Sequence, residues 1–119
     1  MRKVFLMLIL GAGIWQSCST LHSTTYIDPK KSFVIGEGKH GSYVAQVQNE
    51  GKGDIEVIQV NEQGVSTTLG LLKKGDKKEY SVKRNTTVMF KNDNLAKGVI
   101  KIRLRGDSNL SMGYKENQQ

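Results

Sequence analysis

Over most of the chain beyond residue 40, apolar and polar residues alternate with period two, the pattern of strands that bury one face. In GSYVAQVQN (41–49), Tyr43, Ala45 and Val47 share one phase, and Ser42, Gln46 and Gln48 fall on the other. KEYSVKR (78–84) sets Tyr80 and Val82 against Glu79, Ser81 and Lys83, and TTVMFKN (86–92) sets Val88 and Phe90 against Thr87, Met89 and Lys91. The cleanest run is VIKIRLR (99–105), with Ile100, Ile102 and Leu104 on one side and Lys101, Arg103 and Arg105 on the other. In DIEVIQV (54–60) the phase slips between Val57 and Ile58, as at a β-bulge. Clusters of Gly, Asn and Asp separate these runs, at 49–53, 62–64, 73–76, 92–94 and 106–109. No stretch after residue 20 keeps a helical period beyond two turns. The spacing predicts an all-β body over 32–115, a single antiparallel β-sandwich or small barrel of about seven or eight strands, with a polar tail at 116–119.

The N-terminus follows a different rule. Arg2 and Lys3 precede an apolar run from Val4 to Trp15, and small polar residues follow. That run is too short for a bilayer core, which takes about 20 apolar residues, so 1–17 reads as an export signal peptide. Cys18, the single cysteine of the chain, stands directly after it. A lone cysteine forms no disulfide within the chain, and nothing around this one would lower its pKa for catalysis.

A cysteine at this place resembles the lipobox of bacterial lipoproteins. Where that family prefers Leu, a small residue and Gly or Ala, this chain has Trp15, Gln16 and Ser17, a looser, Bacteroidota-like version in which Ser17 fits best. The resemblance covers the first eighteen residues. It implies cleavage before Cys18, acylation of its thiol, and a membrane anchor of two or three acyl chains, which holds far more firmly than one. The other reading is an ordinary secretory signal cut after Ser19. From Cys18 to Lys31 the chain is rich in Ser and Thr without a period, and reads as a flexible tether reaching about 40 Å when extended. Acidic residues just after the cysteine mark surface export in some of these lipoproteins. None precedes Asp28, which points to the periplasmic face of the outer membrane.

Charge narrows the choice of partners. The 119 residues carry a formal net charge of +7, with 13 glycines and one proline, Pro29. Such a balance favours polyanions and says nothing about fold. Lys101, Arg103 and Arg105 would stand about 7 Å apart along one strand face, a candidate anion-binding site for lipopolysaccharide phosphates or acidic glycan. Lys73, Lys74, Lys77 and Lys78 crowd one turn, with Lys83 and Arg84 close behind. The plainer reading is a solvated outer face whose lysines also discourage edge aggregation. No tryptophan follows Trp15, and the body's tyrosines fall mostly on the buried phase. Stacking on sugars or bases is therefore disfavoured, and no nucleic-acid partner is expected.

Short motifs add little chemistry. GEGKHG (36–41) matches G-x-G-x-x-G and is similar to the glycine-rich loop of protein kinases, but no Val-Ala-Ile-Lys, His-Arg-Asp or Asp-Phe-Gly follows. The dinucleotide version needs a helix after the glycines, whereas a strand follows here. A tight connection with positive φ accounts for these residues more simply. RGD (105–107) resembles the integrin-binding tripeptide, but its place after a strand reads first as hairpin turn chemistry. His40 is alone in the body, short of a zinc set, and Asp93 lacks the spaced carboxylates of a calcium loop. No nucleophile–base–acid set can be assembled, so neither an enzyme nor a cofactor is expected. The reading that remains is a lipid-anchored envelope protein acting as a binding or structural module, with an anionic-polymer binder as the alternative.

Overall fold

The computed structural model describes residues 20–107 and 109–117. The signal-peptide reading of 1–17 and the lipidation of Cys18 lie outside them. The described residues form nine strands: β1 (Thr20–Ile27), β2 (Lys31–Ile35), β3 (Tyr43–Asn49), β4 (Ile55–Val60), β5 (Ser66–Leu72), β6 (Lys77–Val82), β7 (Thr87–Asn92), β8 (Gly98–Gly106) and β9 (Met112–Glu116). No helix occurs among the described residues.

The strands make two antiparallel sheets, one ordered β1-β8-β3-β6 and the other β5-β4-β7-β2-β9. Their pairings nest: β1 with β8, β2 with β7, β3 with β6 and β4 with β5. That is the jelly-roll arrangement, a long hairpin wound over itself into two stacked sheets, here with β9 added beside β2. Only β4 and β5 form a hairpin; every other connection crosses from one sheet to the other. The chain is therefore a sandwich and not a closed barrel.

Alternation decides the core. Tyr43, Ala45 and Val47, Val88 and Phe90, and Ile100, Ile102 and Leu104 all point inward and are buried. They meet Phe33 and Ile35 of β2, Ile55 and Val57 of β4, and Ile27 of β1 in one cluster. Side chains of two stacked sheets interdigitate across about 10 Å, so these branched residues supply the cohesion that the polar outer faces cannot.

The structure differs from the sequence expectation in four places. Thr20–Ile27 is a strand paired with β8 over its whole length and not a tether. Its inward face is Leu21, Ser23, Thr25 and Ile27, half of it hydroxyl-bearing, so no apolar period marks it. At the other end the polar tail is also engaged. Glu116 belongs to β9, and Asn117 donates its amide N–H to the Lys30 carbonyl at 3.1 Å and its Nδ2 to that of Asn92 at 3.0 Å. The slip expected between Val57 and Ile58 is present in the β4–β5 pairing, but the extra residue is Leu69 of β5, beside Gly70 at φ +130°. β4 itself pairs with β7 without interruption, so Ile58 stays on the outer face beside Met89. Finally, RGD does not sit in a hairpin. Gly106 ends β8, and the chain then crosses to β9 in the other sheet.

Candidate functional site

The register of the four-stranded sheet places the candidate cations. On its outer face, one cross-strand row reads Thr24, Lys101, Gln48, Lys77, and the next reads His22, Arg103, Gln46, Glu79. A third holds Thr20, Arg105, Val44 and Ser81. The first two rows line an open groove of about 380 Å³, bounded by His22, Thr24, Gln46, Gln48, Lys77, Lys101 and Arg103. Its surface offers cations, side-chain amides and hydroxyls, and its base is the polar face of strands whose other side is core.

The three cations of β8 differ in their commitments. Arg105 Nη2 donates to Glu79 Oε2 at 2.8 Å, and Lys101 Nζ lies 3.6 Å from Glu50 Oε2. Both pairs are exposed, where such bridges contribute little to stability and exchange readily for another anion. No carboxylate among the described residues lies within ion-pair distance of Arg103. Of the lysine cluster, Lys77 lines this groove, and Lys83 adjoins Arg105 at the far end of the face. Lys78 points the other way, and its Nζ donates to the Leu71 carbonyl at 3.3 Å. Lys73 and Lys74 belong to the β5–β6 turn at one end of the sandwich, and Lys83 and Arg84 to the β6–β7 turn at the other.

β1 brings to this face residues that the sequence reading left in a tether. His22 and Thr24 line the groove, and Tyr26 stands two residues further along the same face, paired with Val99 and 55% exposed. An exposed ring beside a basic row is a stacking surface. The signal that could have revealed it is the Thr-Thr-Tyr-Ile run, whose residues favour strands even without alternation.

The glycine motif and RGD serve one end of the fold. Gly36 and Gly38 have φ of +83° and +86°. The loop they begin joins strands of different sheets, unlike the hairpin of a phosphate-binding glycine loop. His40 fastens it: Nε2 lies 2.9 Å from the Thr86 carbonyl and Nδ1 lies 2.7 Å from that of Gly41, while the His40 amide donates to Asn85 Oδ1 at 2.9 Å. Asp107 accepts the Gly41 amide at 2.6 Å on Oδ2 and the Asn109 amide at 2.9 Å on Oδ1. These amides, first that of Asn109 and then that of Gly41, hold its carboxyl below the usual carboxylate range. The two carboxylate oxygens of the tripeptide are thus occupied by backbone amides, one of the β2–β3 loop and one of its own loop. Among the described residues, no three His, Cys, Asp or Glu side chains converge.

No protein-family model matches the chain, and no curated protein matches its sequence.

Proposed function

We propose that the protein is a lipid-anchored, non-enzymatic binding module of the bacterial cell envelope, and that the groove on its four-stranded sheet holds an acidic polymer. The observation that carries the polymer reading is the groove itself. Lys77, Lys101 and Arg103 stand there on adjoining rows, with Gln46 and Gln48 between β8 and β6 and His22 beside Arg103 on β1. A chain of acidic sugars offers carboxylates or phosphates to the cations, Arg103 first, and hydroxyls to the amides. Tyr26 supplies a ring at one end of the same face. The site is shallow and open, which suits a long polymer contacted at several points more than a small molecule enclosed on all sides.

The anchor reading is carried by Cys18 at the end of the apolar run. Only Ser19 separates it from β1, so an acylated Cys18 would hold the Thr20 end of the sandwich within about 7 Å of the headgroups. The loops that contain His40, Arg84 and Asp107 would then face the membrane, and the groove would rise from it.

Two experiments test the two halves. In the first, the full-length protein in detergent is titrated with polygalacturonate and, separately, with rough lipopolysaccharide at several salt concentrations. Replacing Lys77, Lys101 and Arg103 together by Ala should weaken binding about tenfold and flatten its salt dependence, since screening acts on each lost pair. Unchanged binding to both polymers would refute the groove. In the second, Cys18→Ala should release the protein from the membrane fraction and abolish its acyl mass shift; retention with the shift intact would refute the anchor.

A further inference from the structure

The two sheets are unequal, and the difference leaves a ledge. β1 passes into β2 through a turn of three residues, closed by the Lys31 amide on the Asp28 carbonyl at 3.2 Å, and β5 passes into β6 through residues 73–76. β1 therefore lies across from β2 and β6 across from β5, and among the described residues no strand lies across from β9. Two of its three inward-phase side chains, Met112 and Tyr114, are nevertheless apolar, and the third, Glu116, pairs with Lys31 at the strand's end. Tyr114 is in register with Phe33, their rings 5.3 Å apart at 56°, and Met112 is in register with Ile35. Phe33 and Ile35 are buried, whereas Tyr114 is 54% and Met112 39% exposed.

Above this ledge runs the outer edge of β1, unpaired among the described residues. Its eight residues include no Lys, Arg, Asp or Glu, while the opposite edge of the same sheet, β6, begins Lys77-Lys78-Glu79. Charged edges repel added strands, and an uncharged one invites them. Leu21, on the inward phase of β1, is 39% exposed at the same place.

We propose that this ledge receives one extended peptide segment from another polypeptide, added beside β1 as a fifth strand of the smaller sheet. Such a strand lies about 4.8 Å from β1 and so directly over β9, which is displaced from β2 by the same spacing. Its inward side chains cover Met112 and Tyr114, and its outward ones stand beside His22 and Thr24. The chemistry of the segment follows: apolar residues at alternate positions, to close the core over Tyr114, and acidic residues between them. Those acids lie about 10 Å from Lys101, Arg103 and Arg105, one Debye length at moderate salt. A second copy of this chain does not fit. Joining β1 to β1 would bring the copy's own β2 into the space that β9 fills, and each copy carries a net positive charge. The occupant is a strand without a sheet behind it, bound by backbone pairing for affinity and alternate side chains for register.

The ledge is separate from the groove, although Lys101 and Arg103 bear on both, and the test keeps the two apart. A fluorescent peptide of alternating Val and Glu, as long as β1, is titrated against the full-length protein in detergent beside an isomer with the same residues in two blocks. The alternating peptide should bind, Tyr114→Glu should weaken it about tenfold, and Met112→Glu should act likewise. Bound peptide should slow amide hydrogen exchange along β1. Tyr114→Glu should leave polygalacturonate binding in the groove within about threefold of the unaltered protein, because Tyr114 stands beside Phe33 and does not line the groove. No binding, equal binding of the block isomer, indifference to Tyr114→Glu, or a Tyr114-dependent dimer that excludes the peptide would each overturn the proposal.

Discussion

Asn92 Nδ2, fully buried at the end of β7, donates to the carbonyl of Ile27 at 2.9 Å, joining the last residue of β1 to a strand of the other sheet. The same nitrogen lies 3.0 Å from the Ala96 carbonyl, and Oδ1 accepts the Asn94 amide at 3.0 Å. Asn49 performs the matching task at the end of β3, donating to the Gly53 and Leu72 carbonyls at 2.8 Å each and accepting the Gly51 amide at 2.9 Å. Two buried amides thus close one end of the sandwich, where strand ends would otherwise leave polar backbone without water.

Removing that amide leaves several buried carbonyls without a donor, each worth about 1–3 kcal/mol. Asn92→Ala should therefore destabilise by about 3 kcal/mol in urea unfolding. Asn61→Ala, which removes an exposed turn acceptor 3.0 Å from the Gln63 and Val65 amides, should cost only about 1 kcal/mol.

The two faces of β8 should answer differently to truncation. Ile102 is buried and Arg103 exposed on the groove side. Ile102→Ala should cost about 2–5 kcal/mol and lower the Tm accordingly. Arg103→Ala should change stability by about 0.5 kcal/mol while weakening polymer binding.

Gly36 and Gly38 share a left-handed backbone but not their surroundings. A Cβ on Gly38 meets nothing within 4 Å, so Gly38→Ala should cost about 1–2 kcal/mol for the backbone alone. On Gly36 it would come to 2.9 Å from His40 Nε2 and 3.1 Å from the Thr86 carbonyl oxygen, across their hydrogen bond. Gly36→Ala should be the more damaging by thermal melting.

Asp107 should give an acid-side signature. Its folded pKa lies below the ordinary 3.8, so the stability it contributes is complete above that value and is lost as pH falls through the folded one. Asp107→Ala should lower the Tm at neutral pH, and the gap from the unaltered protein should close in that acid window.

The Tyr43 hydroxyl is buried without a hydrogen-bond partner among the described residues, and burial pushes its pKa up from 10.0. Tyr43→Phe removes an unpaired polar group and should raise stability by about 1 kcal/mol. In the unaltered protein the folded state keeps the proton while the unfolded chain ionises at 10.0, so stability should fall as pH rises past 10.0. The variant should lack that part of the fall.

Period-two alternation by itself determined the strands that bury one face and expose the other, and with them the faces of Ile100, Ile102 and Leu104 against Lys101, Arg103 and Arg105. Burial on one side of a pleated strand imposes that pattern locally, so it is legible without any partner. Only the tertiary structure decided which strands are neighbours, because the same alternation is compatible with many orders. The winding of the sheets brought Lys77 onto a row with Lys101 across Gln48, and sent Lys73, Lys74, Lys83 and Arg84 to opposite ends. It also made a strand of Thr20–Ile27, whose inward Ser23 and Thr25 carry no apolar signal and whose place is set by pairing with β8. The functions of Asn49, Asn92 and Asp107 were equally out of reach of the sequence. A turn-forming side chain looks the same whether its hydrogen bonds stay within its own turn or fasten strands and loops that meet only when the chain folds.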